Sequence, residues 1–350
     1  MPADRTVLIT GVTGNLGIRL LPLLSDSFVV GVDNTRPSDI SRLARFEQVD
    51  LGRESSCWQL VELLRESGAT SVVHLAFLLD PVRSGVLNQE RMWQINVAGT
   101  ARVMEAISVV NRTGGRVRQF IFPSSVSVYG PETGGPVKEE SPLRAHTLPY
   151  AVHKRECDEV VRYRAASLGD CRVYMLRPHI FAGASVQNYM IGALRGTPLG
   201  KSKRAARMRA EGKRLPWLLP RGDKYLEKRF QFVHVDDVAR LLVYLLNRPD
   251  TDPPLTILNV AGRGEPITIQ RCAEIAQAEI KRAPNRFACS VVYRLLWSLG
   301  ISSIPPAALP YMIGSYTMDT TRLQRFLGDD YPRVIQYTIE DALKDSFSPG

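Results

Sequence analysis

Tyr150 and Lys154 stand four residues apart in a stretch, 146–168, that is patterned as a helix, so their side chains share one face. An ammonium beside a phenol favours the phenolate and draws its pKa down from about 10. A tyrosine tuned in this way can take the proton of a secondary alcohol while a hydride leaves the same carbon. Tyr-x-x-x-Lys arises by chance in many helices, and alone it carries little weight. Ser125 adds to it. This residue follows a strand candidate at the end of Phe120-Ile121-Phe122-Pro123-Ser124-Ser125. A hydroxyl at the carboxyl end of a parallel strand can hydrogen-bond a reacting oxygen and share its developing charge. Ser125, Tyr150 and Lys154 are therefore the candidate catalytic residues.

A departing hydride needs an acceptor, and the N-terminal segment has room for one. After the apolar run Val7-Leu8-Ile9 the chain reads Thr10-Gly11-Val12-Thr13-Gly14-Asn15-Leu16-Gly17, with glycines three apart. A strand that turns there into a helix points free N–H groups at a phosphate. Gly11 allows the tight turn, Gly14 lets the backbone approach a pyrophosphate, and Gly17 lets the helix sit close on the strand. Thr13, Asn15 and Leu16 complete this cofactor segment. Asp33 ends the next strand candidate, Phe28-Val29-Val30-Gly31-Val32. A carboxylate in that place hydrogen-bonds the adenosine ribose hydroxyls and repels a 2′-phosphate, favouring NAD over NADP. Arg36 nearby could tolerate that phosphate, and an ordinary surface turn at Asp33-Asn34 is the plain alternative.

The elements that must position these residues alternate along the first half. Strand candidates are 5–10, 28–33, 45–50, 71–76, 117–122 and 172–177, and helix candidates are 15–25, 53–67, 89–111 and 146–168. This alternation predicts an α/β fold, a Rossmann-type doubly wound parallel sheet with helices on both faces. Pro22 falls inside the first helix candidate, where it should cost a hydrogen bond and bend the axis. After Arg177-Pro178 the pattern changes: a basic segment, a strand at 230–235, a helix at 237–247, a strand at 255–260 and a helix near 268–281. We expect a dinucleotide-binding domain over 1–178 and, over 179–350, mainly a smaller substrate-binding lobe, with 230–262 returning to the sheet.

Composition bounds the rest. A chain of 350 residues, 44% hydrophobic, can bury a large core. The start, Met1-Pro2-Ala3-Asp4-Arg5, has no apolar targeting stretch behind it. Val291–Ile313, the most apolar late region, is broken by Arg294, Pro305, Pro306 and Pro310 and cannot span a bilayer. Cysteines 57, 157, 171, 272 and 289 show neither Cys-x-x-Cys nor histidines at metal spacing, so no metal is expected and they read as reduced thiols of a cytoplasmic protein. The net charge of +10 is concentrated between Arg195 and Arg229, where twelve Lys or Arg face three acids. This segment is either a lid whose cations meet an anionic substrate or a solvated helix or loop. Aromatic interleaving is too thin for nucleic-acid binding.

In its motifs the chain resembles the extended short-chain dehydrogenases/reductases, the NAD-dependent epimerase/dehydratase group. They are Thr10-Gly-x-x-Gly-x-x-Gly17, Val49-Asp50-Leu51, His74-Leu75-Ala76, Ile95-Asn96-Val97-Ala98-Gly99-Thr100 and Ser124-Ser125-Val126-Ser127-Val128-Tyr129-Gly130. Tyr150-x-x-x-Lys154, Leu176-Arg177-Pro178, Phe232-Val233-His234-Val235-Asp236-Asp237 and Met318-Asp319-Thr320-Thr321-Arg322 continue the series. The resemblance implies that Asp50 and Leu51 flank the adenine, that Leu75 and Ala76 run beside the cofactor, and that Asn96 steadies the nicotinamide end. It implies that Lys154 also grips the ribose, that backbone at Pro178 meets the carboxamide, and that two copies pair through 89–111 and 146–168. His74 and His234 read as satisfied core histidines.

Departures from the family pattern narrow the chemistry. The acid pair that sugar dehydratases place after the catalytic hydroxyl residue is replaced by Val126 and Ser127, and the glutamate of related decarboxylases by Ser127. Both reactions are disfavoured. The arginine that often clamps a nucleotide sugar, four residues before His234, is Phe230, and Arg229 points to the other face of a strand. Phe77 stands where the family usually has a small residue. The expectation is an NAD-dependent oxidoreductase or epimerase acting on a secondary alcohol, a nucleotide-sugar-like substrate being one option. The alternatives are a dehydrogenase of a sterol-like or other apolar alcohol, and an NAD-binding sensor or structural protein without turnover.

Overall fold

The computed structural model describes residues 5–79 and 88–348, so Met1–Asp4 lie outside it. Seven parallel strands form the central sheet: β1 (Thr6–Thr10), β2 (Phe28–Asp33), β3 (Arg45–Gln48), β4 (Ser71–His74), β5 (Gln119–Pro123), β6 (Arg172–Pro178) and β11 (Leu255–Val260). Four strands come between the last two in sequence: β7 (Ile180–Ala182), β8 (Trp217–Pro220), β9 (Arg229–Phe230) and β10 (Phe232–His234). The sheet order is β11-β6-β5-β4-β1-β2-β3. Its central strands are continuous apolar runs because both faces are covered. Val7, Ile9, Tyr174 and Leu176 pack with Leu20, Leu241 and Leu245 on one side. Leu8, Val72, Phe120 and Val173 pack with Leu60, Met104 and Val161 on the other.

The order reverses direction between β1 and β4, which pair in register from Val7↔Ser71 to Thr10↔His74. In an open parallel sheet this switch point leaves a crevice outside the carboxyl ends of the strands, where ligands bind. A third core cluster, with Trp217, Phe230, Tyr311 and Tyr316, builds the remaining body. It contains three two-stranded sheets: β10 with β7, β12 (Ile267–Thr268) with β9, and β13 (Ile280–Ala283) with β8.

Several boundaries differ from the sequence pattern for local reasons. The helix expected over 15–25 is α-helical only over Asn15–Leu20 and tightens to a 3-10 turn at Leu21–Leu24. Pro22 sits in the first turn of that 3-10 segment, which continues the α-helix without a break, so its missing N–H falls where the helix changes its repeat. The helix expected over 146–168 starts at Pro149, another first-turn proline, and runs to Arg164. The one expected near 268–281 ends at Ala276, because Gln277 takes a left-handed φ of 49°, and β13 follows. The strand expected at 230–235 is split at Gln231, whose side chain instead bonds both backbone groups of Met318. Among the described residues no helix is long and apolar enough to cross a membrane.

Candidate active site

The glycine segment closes one wall of the crevice. Gly11 has φ +71°, donates its N–H to Val32 O at 2.8 Å, and a Cβ on it would lie 2.4 Å from Ala76 N. At Gly17 a Cβ would lie 2.4 Å from Val12 O. These two glycines are needed for backbone to meet backbone. Gly14 differs: its nearest neighbour to a Cβ is Gly11 O at 3.1 Å, and it borders open groove. The groove, about 210 Å³, is also lined by Thr13, Asp33, Asp50, Leu51, Leu75 and Ala76. Asp33 accepts from the Thr13 N–H and hydroxyl at 3.0 and 2.7 Å, which holds its carboxylate at the rim. Asn15 turns outward to Ser185, and Leu16 is half-buried against the core. The cradle has the shape and the free groove wall that a dinucleotide phosphate requires.

Gly14→Ala should therefore keep the fold while crowding the groove. Its melting temperature is expected to stay near that of the parent chain, and the dinucleotide Kd to rise at least about tenfold, or 1.4 kcal/mol. Gly11→Ala, with its Cβ against backbone, should instead fail in thermal stability as well.

Asp50 carries a feature that spacing did not disclose. It pairs with Arg91, whose guanidinium also donates to Gly52 O at 3.0 Å, and with Arg53 at 3.4 Å. The carboxylate is thus clamped between two elements at the groove end nearest Leu51. Asn96 lies outside the groove but fixes one of its walls. Its side-chain oxygen accepts from Leu78 N at 2.7 Å and its amide donates to Leu78 O at 3.1 Å, pinning the strand exit that carries Ala76 and Phe77.

Ser125 and Tyr150 line a second compartment, about 120 Å³, together with Pro178. Ser125 accepts from Ser127 N at 3.1 Å and from the Ser127 hydroxyl at 3.0 Å. Its own proton is then free to be donated, and its hydroxyl reaches the Tyr150 phenol. Burial pushes the Tyr150 pKa up, with the Ser125 hydrogen bond acting against it. This corrects the expectation that Lys154 lowers it. The ammonium of Lys154 donates to Pro123 O at 2.7 Å and sits 3.7 Å from the centre of the Phe77 ring, the residue whose bulk departs from the family pattern. The edge-to-face contact of Phe77 with Tyr150, at 5.6 Å, puts the ring at the junction of groove and compartment. Burial lowers the Lys154 pKa to about 8.

Beneath this edge lies a buried polar network that sequence reasoning missed. Arg177 and Asp158, both fully buried, form a two-pronged pair at 2.9 and 2.8 Å. Arg177 also donates to Tyr129 Oη and Glu139 O, Tyr129 donates to Asn259, and Ser124 donates to Asp158 at 3.0 Å. Asp158 follows Lys154 by four residues and so continues the Tyr150–Lys154 face of the helix. That spacing was the available signal.

His74 is a core histidine with no access to the compartment. Thr10 donates to its Nδ1 at 2.6 Å, its Nε2 donates to Thr100 at 3.0 Å, and Thr100 donates to Asn96 O. His234 caps the next helix, bonds Asp345 at 3.1 Å and stacks on Tyr337. Burial lowers the pKa of His74 to about 3 and that of His179 to about 4. The unfolded chain therefore binds protons that the folded chain refuses below about pH 6.5, and stability falls as pH drops from there towards 4. For the two rings the slope reaches about 2.7 kcal/mol per pH unit. Urea midpoints measured from pH 7 to pH 5 should fall in the parent chain and flatten in a His74→Gln, His179→Gln variant.

The walls of the compartment beside Tyr150 are largely apolar: Leu148, Ile180, Phe181, Met190, Ala308 and Met312. Among the described residues no Lys or Arg lines it. Phe230 is buried against Tyr316, and Arg229 turns outward to Pro266 O, as the alternation of a strand predicts. Much of the basic segment bonds protein carbonyls: Arg195 to Ser346 O, Arg209 to Pro198 O and Arg214 to Arg195 O. Lys203, Arg204 and Arg207 line neither the groove nor the compartment. A further cavity, about 260 Å³, adjoins the compartment at Leu79, Asn188 and Tyr189 and is bordered by Arg195, Leu199 and Ser302.

A doubly wound parallel sheet with a glycine cradle at its switch point, Ser125 just past a neighbouring strand end and Tyr150 and Lys154 on the helix Pro149–Arg164 defines the class. The chain belongs to the NAD dependent epimerase/dehydratase family, whose profile matches residues 7–261. Among curated relatives, the UDP-glucose 4-epimerase of Dictyostelium discoideum is 28% identical over 188 residues, 50% of this chain and 52% of that protein. The chain thus spans about half the length of the curated relatives it matches. Among solved structures, the Thermus thermophilus UDP-glucose 4-epimerase complex with NAD superposes with a TM-score of 0.65 at 20% identity, covering 98% of each chain. The UDP-glucuronic acid 4-epimerase from Bacillus cereus, in complex with UDP-glucuronic acid and NAD, gives 0.66 at 19% identity, also over 98% of each. At these identities the likeness concerns the fold.

Proposed function

We propose that this protein is an NAD-dependent enzyme that oxidises a secondary alcohol, either releasing the ketone as a dehydrogenase or returning the hydride as an epimerase. The observation that carries this reading is the shared compartment of Ser125 and Tyr150, one residue step from the glycine groove through Phe77. NAD supplies the hydride acceptor when bound. Gly11, Thr13, Gly14, Asn15, Leu16 and Gly17 would hold its pyrophosphate, Asp33 its adenosine ribose, and Asp50 with Leu51 its adenine. Leu75, Ala76 and Pro178 would border the remainder, with Asn96 steadying that wall through Leu78.

Ser125 orients the substrate oxygen by donating its free proton, and Tyr150 exchanges a proton with that oxygen. Burial keeps the phenol protonated, the form that donates to a ketone. To act as the base, Tyr150 needs Lys154 turned from the Phe77 face toward the phenol, where the ammonium would also meet ribose hydroxyls. Division into a cofactor lobe, 1–178, and a mainly substrate lobe, 179–350, cytoplasmic residence and pairing of two copies through the segments 89–111 and 146–168 belong to the same reading.

The named relatives favour a nucleotide sugar as substrate, whereas the apolar walls and buried Phe230 favour an apolar alcohol. The test supplies NAD with UDP-glucose in one series and hydroxysteroids or long-chain secondary alcohols in another. Reduced nicotinamide is followed by absorbance and the epimer by NMR. Turnover in either series supports the proposal and chooses the substrate class. Dinucleotide binding with no turnover in both would indicate a non-catalytic binding protein.

A further inference from the structure

Two motifs take no part in the chemistry above: the basic segment and the apolar stretch near Val291–Trp297. The fold brings them together. The helix Arg286–Ser298 buries Cys289 and Tyr293 but turns Phe287, Val291, Val292 and Leu295 to solvent, with Leu299 beyond its end. Phe287 is 76% exposed and Leu295 and Leu299 are each 55% exposed. Spaced four apart, Phe287, Val291, Leu295 and Leu299 form one continuous outward stripe. Scattered exposed apolar residues are ordinary, but a contiguous helix face marks a contact surface.

The loop that leads into the basic helix Lys203–Ala210 is bonded to the end of this stripe. Gly200 N donates to Ile301 O at 2.9 Å and Ser202 N to Gly300 O at 3.0 Å. Lys201, Lys203 and Arg204 therefore begin beside Leu299, while Arg286 and Arg294 flank the stripe on its own helix. All five are exposed, and none has an acidic partner among the described residues. The sequence contains no Asp or Glu from 171 to 210, nor from 280 to 318. The apolar stripe is thus bordered by five exposed cations that no acid neutralises among the described residues.

We propose that this face docks on a bilayer carrying anionic lipids, with the stripe entering the headgroup layer and the cations meeting lipid phosphates. Such a helix lies in the interface without spanning it, and its attachment combines buried apolar area with charge attraction. A second copy of the chain is the poorer occupant, because a two-fold contact would set the same cations against each other. The docked face also adjoins Leu199 and Ser302, which border the cavity leading to the compartment beside Tyr150. A substrate dissolved in lipid would enter there without crossing water.

The test uses the whole chain with vesicles of phosphatidylcholine, alone or mixed with phosphatidylglycerol, in sedimentation at low and physiological salt. Docking predicts cosedimentation with the mixed vesicles only, weakened by salt. Neutralising Lys203, Arg204 and Arg294 to Gln should cost about fivefold in partitioning per charge. Phe287→Ser with Leu295→Ser, at exposed positions that leave the core intact, should abolish it. The proposal is overturned if mixed vesicles fail to capture the chain at low salt, or if capture survives the two serine substitutions. It is also overturned if light scattering shows a dimer that those substitutions convert to monomer, because a second copy would then cover the stripe.

Discussion

Tyr150→Phe is expected to bind NAD as the parent chain does and to lose about 10²–10⁴-fold in kcat, the range spanned by a positioned proton-transfer group. The phenyl ring keeps the buried volume and the edge contact with Phe77, so folding should be unaffected. What disappears is the hydroxyl that reaches Ser125 and the substrate oxygen. Calorimetry with NAD and initial rates with the substrate found by the screen separate the two quantities. Weakened NAD binding in parallel with turnover would give Tyr150 a role in packing the groove. Retained turnover would remove it from the chemistry.

The second large effect lies below the site. Asp158→Ala should lower stability by about 3–5 kcal/mol, because it leaves the Arg177 guanidinium buried without its counter-ion. The loss should appear in urea unfolding of the protein without ligand, where no effect on catalysis can contribute. Replacing both partners, Arg177→Met with Asp158→Leu, should recover much of that stability, since an apolar pair of similar volume avoids the desolvation of two charges. Turnover should stay low in the double variant. Ser124 would have lost its acceptor at the strand end that carries Ser125, and Tyr129 its contact with Arg177.

What the sequence disclosed and what it concealed divide by the range of the interactions. The cradle was legible because Gly11, Gly14 and Gly17 answer to their own turn, and the sheet because its strands are short apolar runs set between helical periods. Ser125 and Tyr150 were legible as residue types at strand and helix positions, and they do share a compartment. The state of Tyr150 was not. Its pKa depends on burial and on the Ser125 hydrogen bond, while Lys154 faces Phe77, and such contacts are made across the fold. The end of the helix at Gln277 was hidden because a glutamine in a left-handed conformation carries none of the signal that glycine would. Likewise, a count of cations in 195–229 could not foresee that Arg195, Arg209 and Arg214 would bond distant or looping carbonyls.

The helix expected over 89–111 is interrupted at Gln94–Ala98 by a π turn, with α-helix before it from Gln89 and after it to Arg112. A π turn holds one residue more than the α repeat, which offsets everything after it by about 100° of helical phase. Here the offset lets Met92 face the interior on one side and Gly99, Met104 and Ile107 face it on the other, with Asn96 held against Leu78 between them. The segment is consequently a counted length as much as a composition. Conservative replacements within it preserve the phase, but deletion of Val97 alone would let the α-helix resume and swing either Asn96 off Leu78 or Gly99 off Leu51, which it closely abuts. The wall of the groove is set by the number of residues in one turn of helix.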